Sequence, residues 1–154
     1  YTEGYAGYAY DVEGAKALLA EVGVTIDVDA QPGGTYWSSG KGDTGKNLEL
    51  YMSRFSAKHD PNFVLQWFVP GQIGNWNWSR WNSAEFDTLF KDADSETDAA
   101  KRRAMVLEMQ RAMDKSAAFI WLTNEASGVV HKSSIKPASI PGWIDWQYSD
   151  FSAG

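Results

Sequence analysis

The chain has 154 residues, of which 44% are hydrophobic and 22% are charged. This balance excludes a disordered chain, and the length is enough for one folded domain with its own core. The formal net charge of −6 argues against nucleic acid as a partner, because phosphate binding needs clustered lysines and arginines. No apolar run is long enough for membrane insertion.

The absence of cysteine excludes disulfides, thiol catalysis and cysteine-ligated zinc. The two histidines, His59 and His131, are far apart in the sequence, and neither has a second ligand at helical spacing. We therefore expect no metal site and no cofactor. The sequence begins at Tyr1 without a basic and apolar leader. We expect that a signal peptide has been removed or that the chain is a piece of a longer protein.

The first half of the chain predicts one helix and two strands. Residues 11–20 are typical of a helix, with Asp11 as its N-cap. Residues 22–28 alternate apolar with polar or small side chains, which predicts a half-buried strand. Residues 48–55 form the second predicted strand. The glycine-rich residues 40–45 lack the ending of a phosphate-binding loop and are interpreted as a connector.

The second half predicts two helices and two more strands. Ser83 is the expected N-cap of a helix to about Ala93, and Thr97 that of the longest helix, to about Ser116. Residues 119–122 and 128–131 are predicted strands, and 140–151 an irregular tail. The mixture predicts an α/β (α+β) layered domain. The longest helix has its apolar positions at Met105, Leu107, Met109, Ala112 and Met113, and its methionines are expected to lie in the core.

Residues 74–82, which we name the aromatic segment, contain three tryptophans, three asparagines and one arginine. Indole offers a flat apolar face with one N–H donor, amides offer donors and acceptors, and arginine offers a rigid fork of donors. These groups are typical of small-molecule recognition. The structural alternative is a short strand from which Trp76 and Trp78 point into the core while the asparagines face water.

The sequence contains no catalytic constellation, so we expect no enzyme. It has no nucleophile elbow, no histidine beside a plausible nucleophile and no dinucleotide-binding glycine pattern. A glycosidase pair could be drawn from Asp60, Glu85 and Asp87. Helix-cap roles already explain two of these acids, and Asp60 is expected to shape the turn before the following proline. The basic cluster at residues 101–103 predicts a solvated helix face.

Four segments, in this order, resemble bacterial extracellular solute-binding proteins of the peptide, nickel and opine class, the receptors of ABC importers. The first is similar to the Tyr-Asp-Pro-x-x-Ala-x-x-Leu-Leu helix of that family, with Val12 at the proline position. The others are similar to its Asp-Pro-x-x-Phe, Tyr-x-Asn-x-Glu-Phe-Asp and Thr-Asp-x-x-Lys-Arg segments. In this chain the four segments are residues 9–20, Asp60-Pro61-x-Phe63, residues 81–87 and residues 96–102.

The resemblance covers the C-terminal portion of the family and implies a fold. Residues 1–154 are expected to form a single partial domain, the second lobe of a type II periplasmic-binding-protein fold. One strand–helix unit is missing, because residues 21–23 join the first helix directly to the next strand. The implied function is solute capture in the periplasm or outside the cell and delivery to an ABC permease. The implied mechanism is binding by a monomer, without bond chemistry.

The resemblance also bears on the solute. Peptide receptors of the family commonly carry an aspartate where Ala57 stands, and Arg54 replaces a frequent tryptophan. An oligopeptide is the predicted solute, with a sugar-containing or opine-like anionic solute as the alternative. A carbohydrate-binding module without transport and a protein-interaction domain are the competing functions. The predicted ligand-binding residues are Arg54, Trp76, Trp78, Arg80 and Trp81, followed by Asn75, Gln72 and Trp37.

Two of these predictions have a structural alternative. For Arg54 the alternative is a surface salt bridge. For Arg80 it is a cation–π contact with Trp78 or Trp81.

Overall fold

The structure of the chain is a computed structural model that describes residues 1, 3, 6–56, 58–122, 128–140 and 146–154. It is a mixed α/β structure with about 49% helix and one small two-stranded sheet, which confirms the mixture of elements but not the finer fold. The helices are α1 (Ala6–Glu21), α2 (Gly33–Ser39), α3 (Asn62–Leu65), α4 (Ala84–Ser95) and α5 (Ala99–Ser116), and the 3₁₀ turns are Thr44–Asn47, Gln66–Phe68, Pro70–Gln72 and Tyr148–Asp150.

The sheet is formed by β1 (Ile135–Lys136) and β2 (Ser152–Ala153), which pair antiparallel with Ile135 opposite Ala153. The four predicted strands are wrong. Within the described part of the chain, residues 22–28, 48–55, 119–122 and 128–131 belong to no strand. Alternation encodes which face of a segment is apolar, but a strand also needs a neighbouring backbone that accepts its hydrogen bonds.

The prediction of an irregular C-terminal tail is wrong in part. Residues 140–151 were expected to be irregular, and 141–145 lie outside the described residues, as does Ala57. The described end of the tail contains the 3₁₀ turn Tyr148–Asp150 and is followed by β2. The isolated bridge between Ser139 and Trp146 adds a further backbone pairing. Pairing of β2 with β1 over a long sequence separation is the reason that local composition did not reveal this strand.

The described chain divides into two compact units, each built from two stretches of sequence. Unit 1 contains Tyr1–Arg54 and Gln72–Arg80, and unit 2 contains Phe55–Gly71 and Trp81–Gly154. The boundary passes through the aromatic segment, so Trp81 belongs to unit 2. The assignment of residues 1–154 to one partial domain stays a prediction.

The core of unit 2 lies between α4 and α5. Phe86 and Ala93 on α4 are fully buried, as is Met109 on α5. These positions recur at helical spacing, so each helix turns one apolar face inward. The expectation that the methionines of α5 belong to the core is confirmed for Met109 and Met113, and Met105 is partly buried against this core. The apolar Leu107 is exposed. The other buried members of this core are Leu65, Phe68 and Val106.

The helix starts follow local hydrogen bonds. Ser83 caps α4 as predicted, because its Oγ accepts from the backbone N–H of Phe86 at 3.2 Å. The cap of α5 is Asp98 rather than Thr97, since its Oδ1 accepts from two backbone N–H groups, at 2.9 Å each. Asp11 is not a cap, because α1 begins at Ala6 and includes it.

The interpretation of residues 101–103 as a solvated helix face is wrong for Arg102. Its Nη2 donates to both carboxylate oxygens of Asp60, at 2.8 and 2.9 Å, and its Nε donates to the carbonyl of Ala93 at 2.8 Å. Asp60 also accepts from the backbone N–H of Asn62 at 2.9 Å, which confirms its role in the turn before α3. Arg102 therefore joins this turn to the end of α4.

Replacing Asp60 with asparagine is expected to lower stability by about 1 kcal/mol or less near neutral pH, because the carboxylate is 55% exposed and screened by solvent. The hydrogen bond from Arg102 lowers the pKa of Asp60 from its ordinary value of 3.8. A carboxyl whose pKa is lower in the folded state stabilises the fold above its ordinary pKa, and this contribution is lost as the pH falls below that value. Urea unfolding of both proteins across this range measures the effect.

The matched control for this experiment is Asp43→Asn, which removes an exposed ion pair with Lys46. It should change the free energy of unfolding by less than about 0.5 kcal/mol. A difference between wild type and Asp60→Asn that stays constant to strongly acidic pH would contradict the role of the ionised carboxylate.

Candidate functional site

Five aromatic residues of unit 1 pack on one another, and we name Tyr36, Trp37, Tyr51, Trp76 and Trp78 the aromatic cluster. Trp78 lies at its centre, with ring centroids 5.2 Å from Tyr36, 5.9 Å from Trp37 and 5.3 Å from Tyr51. Trp37 also contacts Trp76 edge to face at 6.0 Å. Inclined rings at these distances attract one another through their quadrupoles. The cluster thus joins α2, residue 51 and the aromatic segment.

The base of the cluster is buried and hydrogen-bonded. Tyr36 and Trp78 are each 3% exposed. Trp78 Nε1 donates to the carbonyl of Asn75 at 2.9 Å, and the Tyr36 hydroxyl donates to the carbonyl of Met52 at 2.6 Å. Burial raises the pKa of Tyr36 to about 12, so the hydroxyl remains a donor under ordinary conditions. Trp78 has the environment of a core residue of unit 1.

The outer part of the cluster is accessible. Trp37, on α2, is 40% exposed, and Trp76 is partly buried. Asn75 is exposed beside Trp76 in the sequence, and its side-chain amide donates to Oε1 of Gln72 at 2.9 Å. Two indole rings and an amide are therefore the groups that the cluster offers to a molecule in solution.

The backbone of the aromatic segment forms turns rather than the short strand of the structural alternative. The carbonyl of Gln72 accepts from the backbone N–H groups of Asn75, Trp76 and Asn77, at 2.9, 3.0 and 3.0 Å. Asn77 is fully buried, contrary to the expectation that the asparagines face water, and its Oδ1 accepts from the Ser79 hydroxyl at 3.0 Å. Gln72 therefore fixes the turn that presents Trp76.

Residues 40–45, which the sequence analysis interpreted as a connector, pack on the aromatic segment. A Cβ atom on Gly40 would lie 2.0 Å from Cδ2 of Trp78, so only glycine fits between this loop and the indole. The backbone N–H of Gly42 donates to the carbonyl of Gly74 at 2.7 Å. The glycines are the signal in the sequence that could have indicated a close approach of two segments.

Two cationic side chains contact the aromatic segment or residues 40–45. The Lys41 ammonium lies 4.9 Å from the centroid of the Trp76 ring. The Arg80 Nη1 donates to the carbonyl of Gly42 at 3.3 Å. This hydrogen bond, rather than stacking on Trp78 or Trp81, is the contact that the structure gives Arg80. Sequence analysis missed Lys41, because a lysine between two glycines has no local feature that indicates a ring partner.

Trp81 and Arg54 are the two remaining residues of the predicted site. Trp81 packs in unit 2, with its ring centroid 5.0 Å from Phe86 and 5.5 Å from Phe119. Trp81 is thus partly buried and packs against the core of unit 2. Arg54 is exposed at the end of the first stretch of unit 1, and its contact with ligand stays a prediction.

A shallow depression of about 450 Å³ lies on unit 2 and contains none of the predicted site residues. Its two acids have structural roles, since Glu85 belongs to the first turn of α4 and Glu108 pairs with Arg111. The residues that line it are Ala84, Glu85, Thr88, Leu89 and Glu108.

No group of three or more histidine, cysteine, aspartate or glutamate side chains in the described ranges could hold a metal ion. Across the same ranges, no helix has the length and apolar character needed to cross a membrane.

Comparison with known proteins gives no match: no protein-family model, curated protein or solved structure matches the chain. The resemblance to solute-binding proteins therefore rests on the four sequence segments alone.

Proposed function

We propose that the chain binds a small organic solute at the outer part of the aromatic cluster. The observation that supports this proposal is the contact between the exposed Trp37 and the partly buried Trp76, with Trp37 packed on the buried Tyr36 and Trp78. Indole faces stack on flat or apolar ligand groups, and neighbouring amides orient them through hydrogen bonds.

The buried base strengthens the proposal through pre-organisation. Trp37 contacts Tyr36 at 5.1 Å between ring centroids and Trp78 at 5.9 Å. Trp76 follows the turn that Gln72 fixes. Side chains already ordered in the free protein lose little entropy when a ligand arrives, so more of the contact energy contributes to affinity.

The wider function that we propose is that of an extracellular or periplasmic solute-binding protein of the peptide, nickel and opine class. The chain would supply part of its second lobe, capture an oligopeptide as a monomer and deliver it to an ABC permease without bond chemistry. A sugar-containing or opine-like anionic solute is the alternative ligand. The four ordered sequence segments support the class, and the mixed α/β character is compatible with it.

The proposal predicts that Trp37→Ala weakens solute binding about tenfold, because one stacking surface contributes about 1.4 kcal/mol. The probes are the tripeptide Ala-Phe-Ala and the disaccharide maltose. The measurement is the shift of indole N–H signals in an ¹⁵N-labelled chain. We expect the signals of Trp37 and Trp76 to move and that of the buried Trp78 to respond least.

The matched control is Trp121→Ala, which removes an exposed tryptophan of unit 2 and should leave affinity unchanged. A response to maltose alone would favour the sugar alternative. If neither probe moves the Trp37 and Trp76 signals, the proposed binding surface is wrong.

A protein-interaction domain is the second candidate function, and a separate observation favours it. Ile120, Trp121 and Leu122 are consecutive apolar residues of unit 2 and are 75%, 59% and 54% exposed. Contiguous exposed apolar residues commonly mark contact surfaces. Self-association that increases with protein concentration would distinguish this candidate from the proposed monomeric receptor.

A further inference from the structure

The position of Lys41 carries an inference about the ligand. Its ammonium group lies 4.9 Å from the centroid of the Trp76 ring, so it adjoins one of the two accessible indoles of the aromatic cluster. Lys41 itself is exposed. A cation near an indole face is attracted by the ring quadrupole, and its remaining donors can still bind an anion.

The backbone around Lys41 is fixed at three points. The N–H of Lys41 donates to the carbonyl of Ser38 at 3.1 Å, and the carbonyl of Lys41 accepts from the N–H of Gly45 at 3.3 Å. The next residue, Gly42, donates to Gly74 at 2.7 Å. The ammonium therefore projects from an ordered loop, which reduces the entropy lost when a ligand holds it in place.

The charges near Lys41 are unbalanced. Asp43, the acid of this loop, pairs with Lys46 at 2.5 Å. Among the residues that the structure describes, neither Lys41 nor Arg80 forms an ion pair. Arg80 instead donates to the carbonyl of Gly42. This part of unit 1 thus presents positive charge, although the whole chain has a net charge of −6.

We propose that Lys41 determines ligand specificity by binding a carboxylate of a solute whose apolar or ring part lies on Trp37 and Trp76. This inference rests on the proposed function, since it assumes that the two indoles hold the solute. It adds a charge preference that the indoles alone would not produce, because a charge-assisted hydrogen bond favours the carboxylate over a neutral amide.

The test uses two probes that differ only in charge, N-acetylphenylalanine and N-acetylphenylalanine amide. Affinities are measured from the indole N–H shifts of Trp37 and Trp76. The wild type should bind the carboxylate about fivefold more tightly than the amide, since an exposed ion pair contributes up to about 1 kcal/mol. Added salt should reduce this preference.

Three variants identify the residue responsible. Lys41→Met should bind the two probes with equal affinity. Lys41→Arg should keep the preference, because it keeps the charge. Lys16→Met removes the same charge from an exposed position on α1 of the same unit and should also keep the preference.

The outcomes separate failure of this inference from failure of the proposed function. Equal binding of the two probes by the wild type, or a preference that persists in Lys41→Met, would overturn the role of Lys41 and leave the indole surface in place. No shift with either probe would overturn both. Ala-Ala-Phe and its C-terminal amide form a second pair: an equal preference in this pair supports a peptide C-terminus as the carboxylate, and a preference confined to the first pair supports a small acid.

Discussion

Replacing Gly40 with alanine is expected to lower the free energy of unfolding of unit 1 by about 3 kcal/mol or more. The added Cβ would lie between 2.0 and 2.3 Å from three atoms of the Trp78 indole. Trp78 cannot move away cheaply, because it is 3% exposed and its Nε1 is hydrogen-bonded to Asn75. Chemical denaturation followed by the indole N–H signal of Trp78 measures this loss.

The matched control is Gly34→Ala, near the start of α2 in the same unit. A Cβ at Gly34 meets nothing within 4 Å. Because alanine favours a helix over glycine by up to about 1 kcal/mol, this variant should be neutral or more stable than wild type. Similar free energies of unfolding for the two variants would contradict the close packing of residues 40–45 on Trp78.

Replacing Met109 with alanine is expected to lower the free energy of unfolding of unit 2 by about 2–5 kcal/mol. Met109 is fully buried in the core that α4 and α5 form with Leu65 and Phe68. Its removal costs the transfer free energy of the side chain and also leaves a cavity. Urea denaturation followed by the helical circular dichroism signal measures this cost.

Leu107→Ala is the matched control on the same helix. Leu107 is 40% exposed, so its truncation removes little buried surface and slightly improves helix propensity. We expect a change below about 1 kcal/mol. A loss as large as that of Met109→Ala would mean that Leu107 is covered in solution, which would favour the protein-interaction candidate.

The helices of unit 2 were predictable because their signals are local. Ser83 accepts a hydrogen bond from the backbone N–H of Phe86, only three residues further along the chain. The spacing of apolar residues in α4 and α5 identifies the buried face of each helix. The short helices α2 and α3 were missed. Both begin beside a proline, where no helix was predicted. Proline is also compatible with a helix start.

The strand predictions were wrong for a different reason. Residues 22–28 and 48–55 have apolar alternation, yet the pattern contains no information about a pairing partner. The strands that do form, β1 and β2, have two residues each and pair across a long stretch of sequence. Such short strands have no periodicity that can be read from the sequence.

The sequence indicated which residue types form the candidate site, but not how these residues are arranged in space. Trp76 and Trp78 of the aromatic segment were predicted to bind ligand, with Trp37 among the weaker choices, and in the structure both pack on Trp37. Trp81, which the sequence grouped with them, packs on Phe86 in unit 2. Lys41 was missed because its contact with Trp76 depends on the packing of residues 40–45 against the aromatic segment.

The division of unit 1 into two stretches has a consequence for how the aromatic cluster comes into existence. The chain completes Tyr1–Arg54, then contributes Phe55–Gly71 to unit 2, and returns with Gln72–Arg80. During synthesis, Tyr36 and Trp37 are therefore made before Trp76 and Trp78, and closing this loop costs chain entropy before their contacts with the later tryptophans form. A protease cut between Phe55 and Gly71 would turn the same contacts into an association of two separate peptides. The high effective concentration that the unbroken chain gives these rings would then be lost.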